Sequence, residues 1–313
     1  MKVVPIVFCF DSNWLLAAGV CLTSLLENAK EETFYDIFIL YGEDSKDVIT
    51  KSNLFRLADK YPNCKITFRS VGNLFDKAFE IRGITNSTYY RLLIPEIIPE
   101  YDKIMYHDVD VIFRTDLSDV YFETDLTGYY VAGVSSPGSL NATVRKHREE
   151  MGLAWNEYIL AGDIILNSGL IRKDNIVEQF KREVEGSNYE HQDMDIINIV
   201  CKGKIKRLSP DFCATLEIFR LATYKEEQAL FTQDELQKAL RFGIIHYNGP
   251  KPWVTWCLNY DIWWEYYRKS IFYDDKYYFE YYAEKYHDHE KIKANKLIKL
   301  LVKRLLRKIK QPK

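Results

Sequence analysis

Hydrophobic positions in the first hundred residues fall into short unbroken blocks separated by longer segments of helical spacing. Residues 3–10 (VVPIVFCF), 37–41 (IFILY) and 65–70 (KITFRS) read as strands. Residues 14–26 and 45–60 read as the helices between them, the second behind an N-cap serine at Ser45. Strands that are apolar on both faces and alternate with helices predict an α/β fold around a mainly parallel sheet covered on both sides. Pro95 and Pro99 interrupt the segment leading to a further strand, residues 103–106, which ends in His107-Asp108-Val109-Asp110. Open α/β sheets bind ligands at the carboxyl ends of their strands, so this tetrapeptide is the first candidate for chemistry.

Further along, residues 164–166 and 170–171 flank Asn167-Ser168-Gly169, and residues 175–185 and 193–200 have helical spacing. Residues 242–245 form a late apolar strand that delivers His246. Beyond it the character changes, with sixteen aromatic residues between Tyr247 and Tyr286, four of the six tryptophans among them. In residues 292–309, Leu297, Ile298, Leu301, Val302, Leu305, Leu306 and Ile309 share one helical face opposite lysines and arginines. With no internal repeat and no Gly/Ser linker, the expectation is a catalytic domain over residues 1–256. An aromatic-rich, basic, amphipathic helical extension over 257–313 follows it.

Composition narrows the class. A hydrophobic fraction of 47% against 28% charged residues excludes general disorder. The net charge of −2 excludes a nucleic-acid binder, yet it hides a split. Residues 287–313 carry ten Lys/Arg against Asp288 and Glu290, a tail of +8 on a body of −10. Such a tail predicts an anionic membrane surface as partner, and the aromatic residues upstream suit the same interface. The alternatives are a helix packed on the protein's own body and an aromatic core. Six cysteines at 9, 21, 64, 201, 213 and 257 form no CxxC, which reads as reduced thiols in a cytoplasmic protein. Residues 14–26 lack a basic segment before them and a small-residue cleavage site after them, so a buried helix is expected rather than a signal peptide. No run approaches the length of a membrane span. Together these features predict a cytoplasmic protein held peripherally at the inner face of the cell membrane.

Two constellations carry chemistry. Asp108 and Asp110 at i and i+2 of a strand point to one side and can converge on a divalent cation such as Mg²⁺ or Mn²⁺. A cation there would neutralise the charge that develops on a departing diphosphate. The bland reading is a solvated turn. In His246-Tyr247-Asn248-Gly249-Pro250-Lys251-Pro252-Trp253, His246 could add a nitrogen ligand favouring Mn²⁺ over Mg²⁺. There Gly249 permits close backbone approach, and Lys251 offers a positive charge for phosphate. The bland reading is a proline-braced loop with a core histidine. His107, one position before the acidic pair, faces the other side of its strand and reads as packing.

Over roughly residues 3 to 255 the chain resembles glycosyltransferase family 8, which includes bacterial lipopolysaccharide galactosyl- and glucosyltransferases and glycogenin. The motifs occur in the family's order. Phe8-Cys9-Phe10-Asp11-Ser12-Asn13 resembles the loop that contacts the uracil, with Asp11 and Asn13 at its polar positions. Ser87-Thr88-Tyr89-Tyr90-Arg91-Leu92 resembles the segment whose arginine, here Arg91, contacts the donor. Asp108-Val109-Asp110 matches the metal-binding DxD. Leu166-Asn167-Ser168-Gly169 resembles the N-[AS]-G element whose asparagine touches the donor sugar, and residues 192–198 (QDMDIIN) resemble D-Q-D-x-x-N. His246 matches the third metal ligand, with Gly249 and Lys251 at the diphosphate.

The resemblance implies a GT-A-like, Rossmann-like domain and a retaining hexosyltransferase using a UDP-sugar with Mn²⁺, or Mg²⁺. It implies a glycan or lipid-linked acceptor in cell-surface polysaccharide or lipopolysaccharide synthesis. Asp193 and Asn167 would then serve catalysis, and Asp11, Asn13, Arg91, Asp108, Val109, Asp110, Asn167, Asp193, His246, Gly249 and Lys251 would line the substrate. The chain departs from the family at Met194, where members carry a glutamine near the anomeric carbon. A thioether lacks the amide dipole, which points to front-face attack assisted by the leaving phosphate. The spacing from Gly249 to Lys251 is also one residue shorter than in many members. Two other functions fit parts of the pattern. A haloacid-dehalogenase-like phosphatase would use Asp108 as nucleophile and Gly162-Asp163 as its late acidic motif, although three strands precede Asp108. A non-catalytic, membrane-bound sugar-nucleotide binder would explain Met194.

Overall fold

The computed structural model describes residues 1–81, 85–186, 188–224, 228–290 and 294–309. Its first compact unit, Met1–Phe272, is built on a seven-stranded sheet in the order β3-β2-β1-β4-β7-β6-β8. The strands are β1 (Lys2–Cys9), β2 (Thr33–Tyr41), β3 (Cys64–Ser70), β4 (Ile104–His107), β6 (Val131–Ser135), β7 (Ile159–Leu166) and β8 (Ile205–Leu208). A separate two-stranded ribbon pairs β5 (Val111–Ile112) with β9 (Ile245–His246), with Val111 opposite His246.

The chain steps from β1 to β2 to β3 in one direction, then crosses back to lay β4 on the other side of β1. The order reverses between β1 and β4, which run parallel with Val7 opposite Tyr106. A crevice therefore opens past their carboxyl ends, the usual ligand site of such sheets. β7 alone runs antiparallel, to β4 and β6 on either side. Its register sets Asp163 opposite His107 and Leu166 opposite Ile104. Asp163 is thereby at the crevice rim, and the residues after Leu166 leave from the far rim.

The strands expected at 3–10, 37–41, 65–70, 103–106 and 164–166 are present, whereas β6 and β8 and the helices Ser118–Glu123, Ala142–Glu150 and Leu216–Tyr224 were not anticipated, and two expected elements depart locally. The segment 45–60 is not one helix but Lys46–Thr50, a 3₁₀ turn Asn53–Arg56 and Leu57–Lys60. Ser52 makes the break, its hydroxyl donating to Ile49 O at 2.6 Å and accepting from Leu54 N at 3.4 Å. Such local side-chain bonds compete with helix continuation. The strand expected at 242–245 begins later, because the helix Gln233–Phe242, started by a capping box at Thr232 and Glu235, runs through Phe242 and ends at Gly243.

Packing carries the first unit past residue 256. Trp263 and Trp264 on the helix Tyr260–Lys269 are fully buried, as are Tyr260 and Tyr267 nearly so. The helix packs on Leu15–Glu27, and the Asn28 amide nitrogen donates to the Tyr266 hydroxyl at 2.7 Å. Burying two tryptophans contributes on the order of 8–10 kcal/mol as an upper bound. This part of the aromatic belt is core, not interface. Five of the six cysteines are buried, and all six are free.

The second unit, Tyr273–Lys313, contains the helices Asp275–Glu290 and Ala294–Ile309. Leu297, Ile298, Leu301, Val302, Leu305 and Leu306 are each about half exposed or more. Residues 291–293, which include the expected helix start at Ile292, and the side chain of Ile309 lie outside the described residues. No described helix is long and apolar enough to cross a membrane.

Candidate active site

Three carboxyl or imidazole groups meet at the mouth of the β1/β4 crevice. Asp108 and Asp110 follow β4, while the β5–β9 pairing brings His246 across from the far end of the chain. Tyr247 N locks the ribbon by donating to Asp110 O at 2.9 Å. His246 Nε2 lies 3.7 Å from Asp108 Oδ2 and 3.5 Å from Asp110 Oδ1. All three ligand atoms fall within 4.8 Å of one another.

Each carboxylate divides its two oxygens. Asp108 Oδ1 accepts from Arg91 Nη2 at 2.9 Å and from the Tyr106 hydroxyl at 2.5 Å, leaving Oδ2 towards His246. Asp110 Oδ2 accepts from Lys251 Nζ, leaving Oδ1 towards His246. The separations of 3.5 and 3.7 Å exceed a hydrogen bond. Two ligands each about 2.1 Å from one ion, at tetrahedral to octahedral angles, lie about 3.0–3.5 Å apart. The Asp110 separation falls in that range and the Asp108 one just outside it, so one nitrogen and two hard oxygens need close only slightly to hold a divalent cation.

The rest of the imidazole is tied down. His246 Nδ1 bonds Asp163 Oδ2 at 2.6 Å, and Asp163 Oδ1 bonds His107 Nδ1 at 2.6 Å. Burial opposes the His246 charge, but the Asp163 and Asp110 carboxylates outweigh it and raise the group to about 9. Burial likewise opposes ionisation of Asp110, yet Lys251 and His246 hold its carboxyl below the usual range. Cys213 Sγ lies 3.6 Å from His246 Nδ1. Burial pushes its thiol well above the ordinary range, so it packs against the ring as a neutral group.

Gly162 completes the wall. Its carbonyl accepts from Asp108 N at 2.7 Å. A Cβ at this position would sit 2.3 Å from His246 Cε1 and 2.6 Å from Asp108 Oδ2, so only glycine fits. Arg91 braces the floor from inside the protein, only 6% exposed. Besides Asp108 it donates to Thr88 O at 2.9 Å, Thr88 Oγ1 at 3.2 Å and Ala161 O at 2.8 Å, with its plane 4.4 Å over the Tyr106 ring. Its Nε also lies 3.2 Å from Asp193 Oδ2. Asp193, in the first turn of the helix Gln192–Val200, accepts from Thr88 Oγ1 at 2.5 Å. Burial lifts its carboxyl to about 6 despite Arg91. Asn198 on the same helix holds both the N–H and the C=O of Ile159, at 2.8 and 3.0 Å.

Residues 5–257 match the family described as Glycosyl transferase family 8. The chain belongs to glycosyltransferase family 8. The enzyme is 26% identical over 261 residues to a putative glycosyltransferase of Haemophilus influenzae, covering 80% of this chain and 73% of that protein. It is 25% identical over 261 residues to General stress protein A of Bacillus subtilis, covering 80% and 88%. Its fold resembles that of the galactosyltransferase LgtC in complex with donor and acceptor sugar analogs, with a TM-score of 0.71 at 22% identity over 88% of this chain and 99% of that one. It also resembles the bifunctional glycosyltransferase WbbM, with a TM-score of 0.72 at 23% identity over 91% of this chain but only 52% of that one. The GT-A-like fold anticipated from the motifs is the fold of this glycosyltransferase.

The anticipated site residues divide into those brought together and those set apart. Asp108, Asp110, His246 and Lys251 meet directly, with Arg91 and Asp193 packed against them. Asp11 lies at the end of β1, where its Oδ1 accepts from Asn13 N at 2.8 Å and its Oδ2 from Thr85 Oγ1 at 2.9 Å, and Asn13 is exposed. Val109 has a buried side chain, so it offers the crevice only backbone. Gly249 is exposed with open space where a Cβ would stand.

Asn167 needs correction. It follows the carboxyl end of antiparallel β7 at the far rim, where its Oδ1 accepts from Leu170 N at 3.1 Å. Its amide nitrogen donates to Leu126 O and Tyr129 O at 3.0 and 3.1 Å. It caps the helix Ser168–Lys173 and is not part of the crevice. Ala161 and Gly162 of the same strand do reach the site, their carbonyls accepting from Arg91 Nη1 and Asp108 N. The phosphatase alternative fails on topology and geometry. Asp108 follows the fourth strand with one oxygen tied to Arg91, and Asp163 is sealed between two histidines.

Proposed function

We propose that this glycosyltransferase moves a hexose, glucose or galactose, from a UDP-sugar to a glycan or lipid-linked acceptor with retention of configuration. The observation that carries this reading is the convergence of Asp108, Asp110 and His246 from opposite ends of the chain. Their unshared atoms face one point at the switch crevice. In this reading those three residues hold Mn²⁺, which neutralises the leaving diphosphate when bound. The base lies against the β1 loop at Asp11 and Asn13, and Lys251 and Gly249 meet the diphosphate from the opposite wall. Arg91 acts from beneath, fixing Asp108 and Asp193 in one arrangement. Asp193 accepts hydrogen bonds from sugar hydroxyls.

Met194 is half-buried against the core and offers no nucleophile. Attack from the front face, with the acceptor proton passing to the leaving phosphate, therefore suits the site, and rate comes from positioning and electrostatics. The basic C-terminal helix supports peripheral attachment to an anionic inner membrane face, and the residues assigned to catalysis in this reading all lie within 1–256.

A panel of UDP-sugars tests the reading. Purified protein is expected to hydrolyse UDP-glucose or UDP-galactose slowly with Mn²⁺ and to leave aryl phosphates intact with Mg²⁺. The reverse pattern, or UDP-sugar binding indifferent to metal without turnover, contradicts it.

A further inference from the structure

We infer that Asp163 is a positioning residue for the cation site, bridging two buried imidazoles so that the His246 ring can present only Nε2 to Asp108 and Asp110. The inference rests on the proposed cation reading and extends it to a residue outside the ligand set. Asp163 has no solvent exposure, and it lies in β7 directly opposite His107 on β4. An isolated buried carboxylate costs several kcal/mol, so its retention inside an apolar strand calls for strong partners. It has two, one for each oxygen: His107 Nδ1 and His246 Nδ1, both at 2.6 Å.

An ionised carboxylate only accepts, so each contacting ring nitrogen must carry its proton. For His246 this places the hydrogen on Nδ1. Nε2 is then the nitrogen that gives up its proton to a cation, and it faces the two aspartate oxygens at 3.7 and 3.5 Å. Without Asp163 the neutral ring could keep its one proton on Nε2, which would point an N–H at the cation position. A carboxylate behind a metal-bound histidine sets both its tautomer and its orientation.

His107 explains why Asp163 itself does not move. Its ring is fully buried between Phe113 and Phe212, with centroids 5.0 and 5.1 Å away. Among the described residues its Nε2 has no hydrogen-bond partner, and its polar contact is the one to Asp163. The imidazole therefore acts as a fixed clamp on one oxygen, and the other oxygen aims the His246 ring. Adjacent Gly162 hydrogen-bonds Asp108 through its carbonyl, so one turn of strand places both the ring and the first carboxylate.

The test is direct Mn²⁺ binding to the intact protein, measured by calorimetry, in wild type and Asp163→Asn. The amide keeps the shape but must donate to one of the two rings. His107 can accept only by carrying its proton on Nε2, buried between Phe113 and Phe212, so the amide N–H turns to His246 and puts that ring's proton on Nε2, facing the two aspartates. Expected is a loss of about 10–100-fold in Mn²⁺ affinity with an unchanged circular dichroism spectrum. Unchanged affinity in Asp163→Asn, with wild type binding normally, overturns the inference alone. Wild type that binds no Mn²⁺ overturns the cation reading as well. If the variant does not fold, nitrogen-15 NMR of wild type with Mg²⁺ decides. A His246 proton on Nδ1 upholds the inference, and a proton on Nε2 overturns it.

Discussion

His246 Nε2 and Asp110 Oδ1 stand 3.5 Å apart, beyond hydrogen-bond reach, although 135 intervening positions separate them in the chain and both are buried. Each group is already paired through its other atom, Asp110 Oδ2 with Lys251 and His246 Nδ1 with Asp163, so the two facing atoms are the ones left to share a cation. Several measurements follow from that.

Gly162→Ala tests how tightly the wall is built. The added methyl would meet His246 Cε1 at 2.3 Å and Asp108 Oδ2 at 2.6 Å, so two of the three cation ligands must shift. A displacement of about 1 Å at reacting groups lowers rates by about a hundredfold. The variant is expected to fold, with Mn²⁺-dependent turnover reduced by at least that order. Steady-state rates beside a thermal melt check it, and normal turnover would contradict the geometry.

Cation binding should be linked to protons. Burial opposes the His246 charge, but Asp163 and Asp110 raise the group to about 9, so at neutral pH the metal-free ring is protonated. A ligand must offer a bare nitrogen, so each bound Mn²⁺ displaces one proton. Affinity is expected to rise roughly tenfold per pH unit from about pH 6 to 8. The sign for stability is opposite. A raised folded value stabilises the metal-free protein fully below the unfolded value of about 6.5 and is lost as pH rises through about 9. Titrations of Mn²⁺ at several pH values, with melts of the metal-free protein, check both directions.

Much of this was legible in the sequence. Continuous apolar blocks marked five of the seven strands, and an acidic pair at i and i+2 after a strand marked the active rim. The short β6 (VAGVS) and β8 (IKRL) offer no such block. The misplaced and missed site residues share one cause. A continuous apolar run looks the same whichever way the strand points, so the reversal of β7 was invisible. That reversal sends Asn167 to the far rim and brings Gly162 and Asp163 to the near one. Asp163 is a lone acid in an apolar strand, and its two partners lie 56 and 83 positions away. The antiparallel register to β4 was the signal that would have found it. For Trp263 and Trp264 the aromatic core, one of the alternatives, is what the fold holds, since a tryptophan pattern does not distinguish a membrane interface from a core.

The C-terminal helix gives a separable prediction. Its apolar face is about half exposed from Leu297 to Leu306, and lysines and arginines fill the remainder. Deleting residues 287–313 is expected to release the protein from anionic vesicles in a sedimentation assay while UDP-sugar hydrolysis persists. A truncated protein that still pellets with lipid would remove the helix from any role in attachment.

The most direct measurement is a calorimetric titration of UDP with and without Mn²⁺, using wild type and Asp110→Asn. Wild type is expected to bind UDP at least about tenfold more tightly when Mn²⁺ is present, a coupling near 1.4 kcal/mol. Asp110→Asn should lose that gain. Equal UDP affinity in wild type with and without the metal would contradict the claim that Asp108, Asp110 and His246 share a cation with the nucleotide.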